Sequence, residues 1–130
     1  MSSNPGVAAW HAYMAGGDLA ALSDLIADNA VFHSPVVHTP QAGKALVLAY
    51  LGAAGVVFGN ETFRYVREIV DGDNAMLEFT VVMDGVQVNG VDIIRFDASG
   101  RIADFKVMVR PLKAINKVWE LMAAQLQAAR

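Results

Sequence analysis

The chain has no cysteine among its 130 residues. Disulfides and thiolate metal sites are thereby excluded, and a reducing cytoplasm is the simplest setting for such a protein. Charge is scarce as well. Asp, Glu, Lys and Arg make up 18% of the sequence, the net charge is −3, and no stretch concentrates Lys or Arg. Nucleic-acid binding needs a basic footprint, so that partner is set aside. No apolar run is long enough to cross a bilayer, and no membrane partner is expected. The opening residues, MSSNPGVAAW, lack the basic-then-apolar order of a secretory signal. No repeat, low-complexity tract or linker divides the chain, so a single domain over 1–130 is expected. There is no G-x-S-x-G elbow and no glycine loop of the dinucleotide or phosphate type. His11, His33 and His38 are scattered without i, i+4 spacing or a clustered acid, so neither a metal site nor a cofactor is expected.

What the chain has in quantity is apolar surface, 55% of its residues. The first half reads as helices: 7–15 ending at Gly16-Gly17, then a second helix capped by Asp18 with Leu22, Leu25 and Ile26 as its stripe. Residues 30–34 read as a short strand stopped by Pro35, and 35–43 as loop. Residues 44–57 are apolar nearly all round, as in a deeply buried helix. The second half changes period. Segments 62–70, 74–83, 86–96 and 101–110 are rich in β-branched and aromatic residues, and Asp-Gly turns separate them. These are hairpin signals. Pro111 opens a last helix with Leu112, Ile115, Trp119, Met122 and Leu126 on one face. The fold class is therefore α+β, with an antiparallel sheet covered by helices. Strand 88–96 is apolar on both parities, with Val88, Ile94 and Phe96 on one and Val91 and Ile93 on the other. Both faces of the sheet are thus expected to be covered, the second by another copy of the chain, as a homodimer.

The element order resembles the nuclear transport factor 2-like superfamily, including its SnoaL-like and ketosteroid isomerase-like bacterial members. Three stretches carry the likeness: GDLAALSDLIADNAVFHSP (17–35), GVDIIRFDASGRIADFKVMV (90–109) and RPLKAI (110–115). The resemblance implies a curved sheet closed by helices into a cone around an apolar pocket. The nearest pattern is that of ketosteroid isomerase, whose V-D-x-x-R-F-x-x-x-G-R-I places a pocket aspartate at Asp92. That family keeps this acid protonated as a hydrogen-bond donor. Its general base falls on Ser34 here, and its tyrosine donor falls on or near Trp10. Limonene epoxide hydrolases would need polar groups near Phe79, Val81 and Val107. Polyketide cyclases would need an acid among Phe105, Val107 and Val109. Scytalone dehydratase-like chemistry could draw on His33 or His38, Tyr13 or Tyr50, and Asp92.

Asp92 is the leading candidate for chemistry. Burial in mid-strand raises a carboxyl pKa and favours the neutral acid, while an ion pair with Arg64 or Arg95 would be a structural use of the same group. His38, in a loop between two prolines, is the candidate base. Ser34 either touches a ligand or caps the turn at Pro35. His33 should point away from Ser34 to the opposite face of its strand. Trp10, Phe32, Leu77, Phe79, Val81, Phe105, Val107 and Val109 are expected to wall the cavity, with Tyr50 beside them. Such a lining suits a small hydrophobic ligand of steroid, terpenoid or polyketide type. The expected function is binding of that ligand, with isomerisation, dehydration or cyclisation through Asp92. The alternative is a non-catalytic binding or dimerisation module, because the isomerase base position is Ser34.

Overall fold

A computed structural model describes residues 4–128. Helix α1 (Pro5–Met14) begins at Asn4, whose side chain accepts from the Gly6 and Val7 amides. Its amide group also donates to the Gly72 carbonyl at 2.9 Å, which ties the helix start to a distant turn. Asp18 caps the short α2 (Leu19–Asp24) by accepting from the Ala21 amide. Strand β1 (Ile26–His33) starts four residues earlier than the sequence suggests. Ile26, expected on the α2 stripe, belongs to that strand and is fully buried. The segment expected to be loop contributes a two-residue strand, β2 (Gln41–Ala42), beside β1. Then follow α3 (Lys44–Phe58), β3 (Arg64–Asp71), β4 (Asn74–Met83), β5 (Val86–Phe96), β6 (Ile102–Arg110) and α4 (Leu112–Ala128). Among the described residues no helix is long and apolar enough to cross a membrane.

The strands form one sheet in the order β2-β1-β6-β5-β4-β3. The expected hairpins are all present. Asp84 and Gly85 both take positive φ, 49° and 77°, as a two-residue hairpin turn requires. The sheet is nevertheless mixed. β1 runs parallel to β6, which the long connection from β2 through β5 permits.

Burial alternates along β4 and β5, so each strand has an inner and an outer face. The inner face carries Leu77, Phe79, Val81, Val88, Ile94 and Phe105 and is covered by the helices. Gly90 of β5 stands opposite Phe79 of β4. A Cβ there would stand 2.4 Å from Cζ of Phe79 and 2.9 Å from the Met108 carbonyl oxygen, so only glycine lets the Phe79 ring lie across the strand.

The last helix is rotated relative to the expected face. Its buried row is Ala114, Val118 and Met122, spaced i, i+4, i+8, while Leu112 and Trp119 stay 71% and 52% exposed. Small Ala114 sits at the close approach, and the larger expected residues straddle the edge of the contact.

The outer face is uncovered in the protomer. Ile69, Met76 and Met108 are exposed there, around a shallow hollow of about 410 Å³ that Arg67, Glu78 and Arg110 also border.

Candidate functional site

The inner face of the sheet, α1, the α1–α2 turn and the second half of α3 line a half-open cavity of about 500 Å³. Asp92 is set into its wall from mid-β5, opposite Leu77 of β4 and Val107 of β6. It is the one buried charged residue among those described, at 7% exposure.

Its partner is Tyr65, which donates to Asp92 Oδ2 at 2.6 Å. The Tyr65 oxygen in turn accepts from Trp10 Nε1 at 2.9 Å. An indole N–H can only donate, so the Tyr65 oxygen accepts from Trp10. In this arrangement Tyr65 gives its own proton to Asp92 Oδ2, and a neutral Asp92 then carries its proton on Oδ1. Among the described residues no side chain or backbone group bonds to Oδ1, and it is not sealed from the cavity. Neither Arg64 nor Arg95 pairs with the carboxyl.

Burial pushes the Asp92 carboxyl up to about 7, and the Tyr65 hydrogen bond offsets only part of that rise. Tyr65 is itself held far above the usual phenol range, first by burial and then by the charge and hydrogen bond of Asp92, so it remains a neutral donor. A second pair supports it from the rim. His11 Nε2 lies 2.5 Å from Glu68 Oε1, and the His11 ring meets Tyr65 edge-on at 5.6 Å, clamping α1 to β3.

The structure sorts the expected site residues into groups. Trp10, Phe79, Phe105 and Val107 line the cavity together with Asp92. Phe32, Ser34 and Tyr50 line a separate crevice of about 50 Å³ under α4. There the Ser34 hydroxyl accepts from the Val36 and Val37 amides at 3.1 and 3.3 Å, which is the turn-capping use of a serine. Leu77 is wholly buried in the core and does not reach the cavity. Val81 borders a hollow with Val88 and Pro111, and Val109 borders the outer-face hollow. His38 is exposed in its loop and lines none of these spaces. His33 bonds Asp104 at 2.8 Å on the outer face. Among the described residues no three His, Asp or Glu side chains gather as metal ligands do.

Tyr65 is the residue that sequence reasoning missed. Counting back from the Asp71–Asn74 turn pairs Arg67 with Glu78 and would pair Val66 with Phe79. A bulge at Val66 intervenes, so Tyr65 pairs with Phe79 and faces inward. Phe58 and Phe63 also line the cavity unforeseen, and of the two candidate tyrosines Tyr13 lines it while Tyr50 does not. Burial raises the Tyr13 hydroxyl above its usual range.

Comparison with known proteins adds a family to this geometry. Residues 7–105 match the model of the SnoaL-like domain. No curated protein matches the chain. Among solved structures, a steroid delta-isomerase from Pseudomonas aeruginosa is 38% identical, with 99% of this chain and 96% of that one covered at a TM-score of 0.91. A protein of cystatin-like fold from Silicibacter pomeroyi DSS-3 is 33% identical over 94% of this chain and 85% of that one, with a TM-score of 0.86. A protein of ketosteroid isomerase-like fold from Catenulispora acidiphila, 16% identical over 88% of this chain and 91% of that one, shares the fold at a TM-score of 0.64. With three quarters of its length inside the family model and a cone-shaped α+β fold around it, the chain belongs to the SnoaL-like domain family of the nuclear transport factor 2-like superfamily.

Proposed function

We propose that the chain binds a small, flat, mostly apolar molecule bearing a carbonyl or hydroxyl group, and that Asp92 Oδ1 meets that oxygen. The observation that carries this reading is a buried carboxyl with one oxygen held by Tyr65 and the other left to an apolar cavity. A neutral acid donating to a carbonyl draws charge onto the oxygen as a proton leaves the adjacent carbon. Isomerisation, dehydration or cyclisation through an enol is the chemistry that such a donor assists. The likeness to a protein described as a steroid delta-isomerase supports a steroid-like ligand.

Binding without turnover is the second reading, and Ser34 favours it. A hydroxyl stands where the isomerases keep a base, it is engaged with two amides, and it lies in the crevice apart from Asp92. The remaining carboxylate on the cavity lining is Asp18, at the mouth, where it caps α2.

Titration of a 3-ketosteroid into the native chain and Asp92→Ala, by calorimetry, tests the binding. Loss of one hydrogen bond to the ligand oxygen should weaken affinity by about tenfold. Equal affinity in the two proteins would remove Asp92 from the site. Ultraviolet absorbance of the shifted double bond then separates the readings: binding with no spectral change assigns the non-catalytic one.

We also propose that a second copy of the chain covers the outer face of the sheet. Its centre is apolar, and its border holds both Arg67 and Glu78, so a twofold-related copy can set opposite charges against each other. Light scattering at micromolar concentration should give a dimer mass for the native chain and a monomer mass for Met108→Glu. A monomeric native chain would rule the interface out.

A further inference from the structure

We propose that Phe58 sets the length of ligand that the Asp92 cavity accepts, as the partition between that cavity and the crevice under α4. The inference rests on reading the Asp92 cavity as the ligand site. Three residues face both spaces: Ala54 and Phe58 of α3, and Val107 of β6. Ala54 is too short to divide them, and Val107 is anchored in mid-strand, bonded into the ladder opposite Asp92. The Phe58 ring is left as the wall. It is half-buried and is the last residue of α3, so its side chain is not locked between helical turns. Its aromatic neighbour is Phe79, met edge-on at 5.5 Å and 86°.

Beyond the ring, the crevice of about 50 Å³ is lined by Phe32, Tyr50, Val118, Trp119 and Met122. It has room for a few heavy atoms, and its walls suit an alkyl tail. At its outer end Trp119 is half exposed. A ligand with its oxygen at Asp92 and an aliphatic extension on the far side would press its tail against Phe58. The two spaces together therefore fit an elongated apolar molecule with one oxygen-bearing end, and Phe58 decides how much of the tail is admitted.

The test uses straight-chain methyl ketones of increasing length as probes, with the native chain, Phe58→Leu and Phe58→Trp. In the native chain affinity should rise with chain length and then stop rising. In Phe58→Leu the rise should continue for further methylenes, at about fourfold in Kd for each. In Phe58→Trp it should stop earlier. Adding Ala123→Leu, which fills the crevice from α4, should cancel the extension gained by Phe58→Leu. The same break point in all variants would overturn the proposal. Crystals under xenon give a readout that needs no ketone. Two separate xenon sites in the native chain, joined into continuous density in Phe58→Leu, support the partition. Two separate sites in both would overturn it. Absence of ketone binding in the native chain would count against the Asp92 reading alone, since the xenon result still decides the partition.

Discussion

Near pH 9, Asp92→Asn is expected to be more stable than the native chain by roughly 4 kcal/mol, and near pH 4 the two should differ by less than about 1 kcal/mol. The Asp92 carboxyl titrates at 3.8 in an ordinary setting and at about 7 in its buried one. Between those values the folded protein keeps a proton that the unfolded chain has released. Stability contributed by the neutral acid is thus complete below the unfolded value and is lost as pH rises through the folded one. Three pKa units at about 1.4 kcal/mol each give the magnitude. Asparagine has nothing to titrate. Its carbonyl can still accept from Tyr65, and its amide can still donate where Oδ1 faces the cavity. Denaturant unfolding of both proteins at both pH values measures the effect. A stability difference that is the same at the two pH values would show that the carboxyl does not stay neutral on folding. Affinity for a neutral ketone should follow the same titration, weakening above pH 7 in the native chain and staying level in Asp92→Asn.

Phe79→Ala should cost about 3–5 kcal/mol, the usual range for removing a packed aromatic ring. Phe79 is buried and joins the aromatic wall of the cavity. Its ring stacks on Phe63 at 5.2 Å and 24°, takes Phe58 on edge at 5.5 Å, and approaches Tyr65 at 6.4 Å. The hollow over Gly90 exists to receive it, and nothing nearby can fill that space once the ring is gone. The void would be continuous with the Asp92 cavity and open to water. Rehydration removes the cause of the raised Asp92 pKa, so the variant should also lose much of the pH dependence described above. Urea unfolding near pH 6 measures the first effect, and its repetition near pH 9 measures the second. A loss under about 1 kcal/mol would mean that Phe58 and Phe63 collapse into the gap. Phe79→Leu, which keeps part of the volume, should fall between the two.

Different parts of the molecule were legible to different degrees, for reasons that lie in period and phase. β4 and β5 could be bounded to the residue, because alternation and an Asp-Gly turn specify register together. Alternation alone could not turn Asp92 inward, because β5 is apolar on both parities, and it was the V-D-x-x-R-F resemblance that pointed it at the pocket. α3 was legible as a helix but not in its rotation. A helix apolar all round has no phase to read, so the turn of Tyr50 toward the crevice and of Phe58 toward both spaces stayed hidden. The front of β1 was obscured by Asp28 and Asn29, which are exposed on a strand whose apolar residues alone mark it. The rotation of α4 depends on where small Ala114 allows close packing, and a count of large apolar residues does not reveal that.

The bulge at Val66 has a consequence for how such a site can change over generations. On either side of it the strand obeys opposite parity, so one extra residue determines that a tyrosine, and not a valine, meets the carboxyl. The acid's behaviour is in this sense stored as a length rather than as an identity. A codon gained or lost in β3 would re-deal which side chains face Asp92 while every residue of the cavity kept its letter. Copies of this gene could therefore diverge in ligand chemistry through a single small insertion or deletion, a kind of change that substitution-by-substitution comparison of cavity residues would pass over.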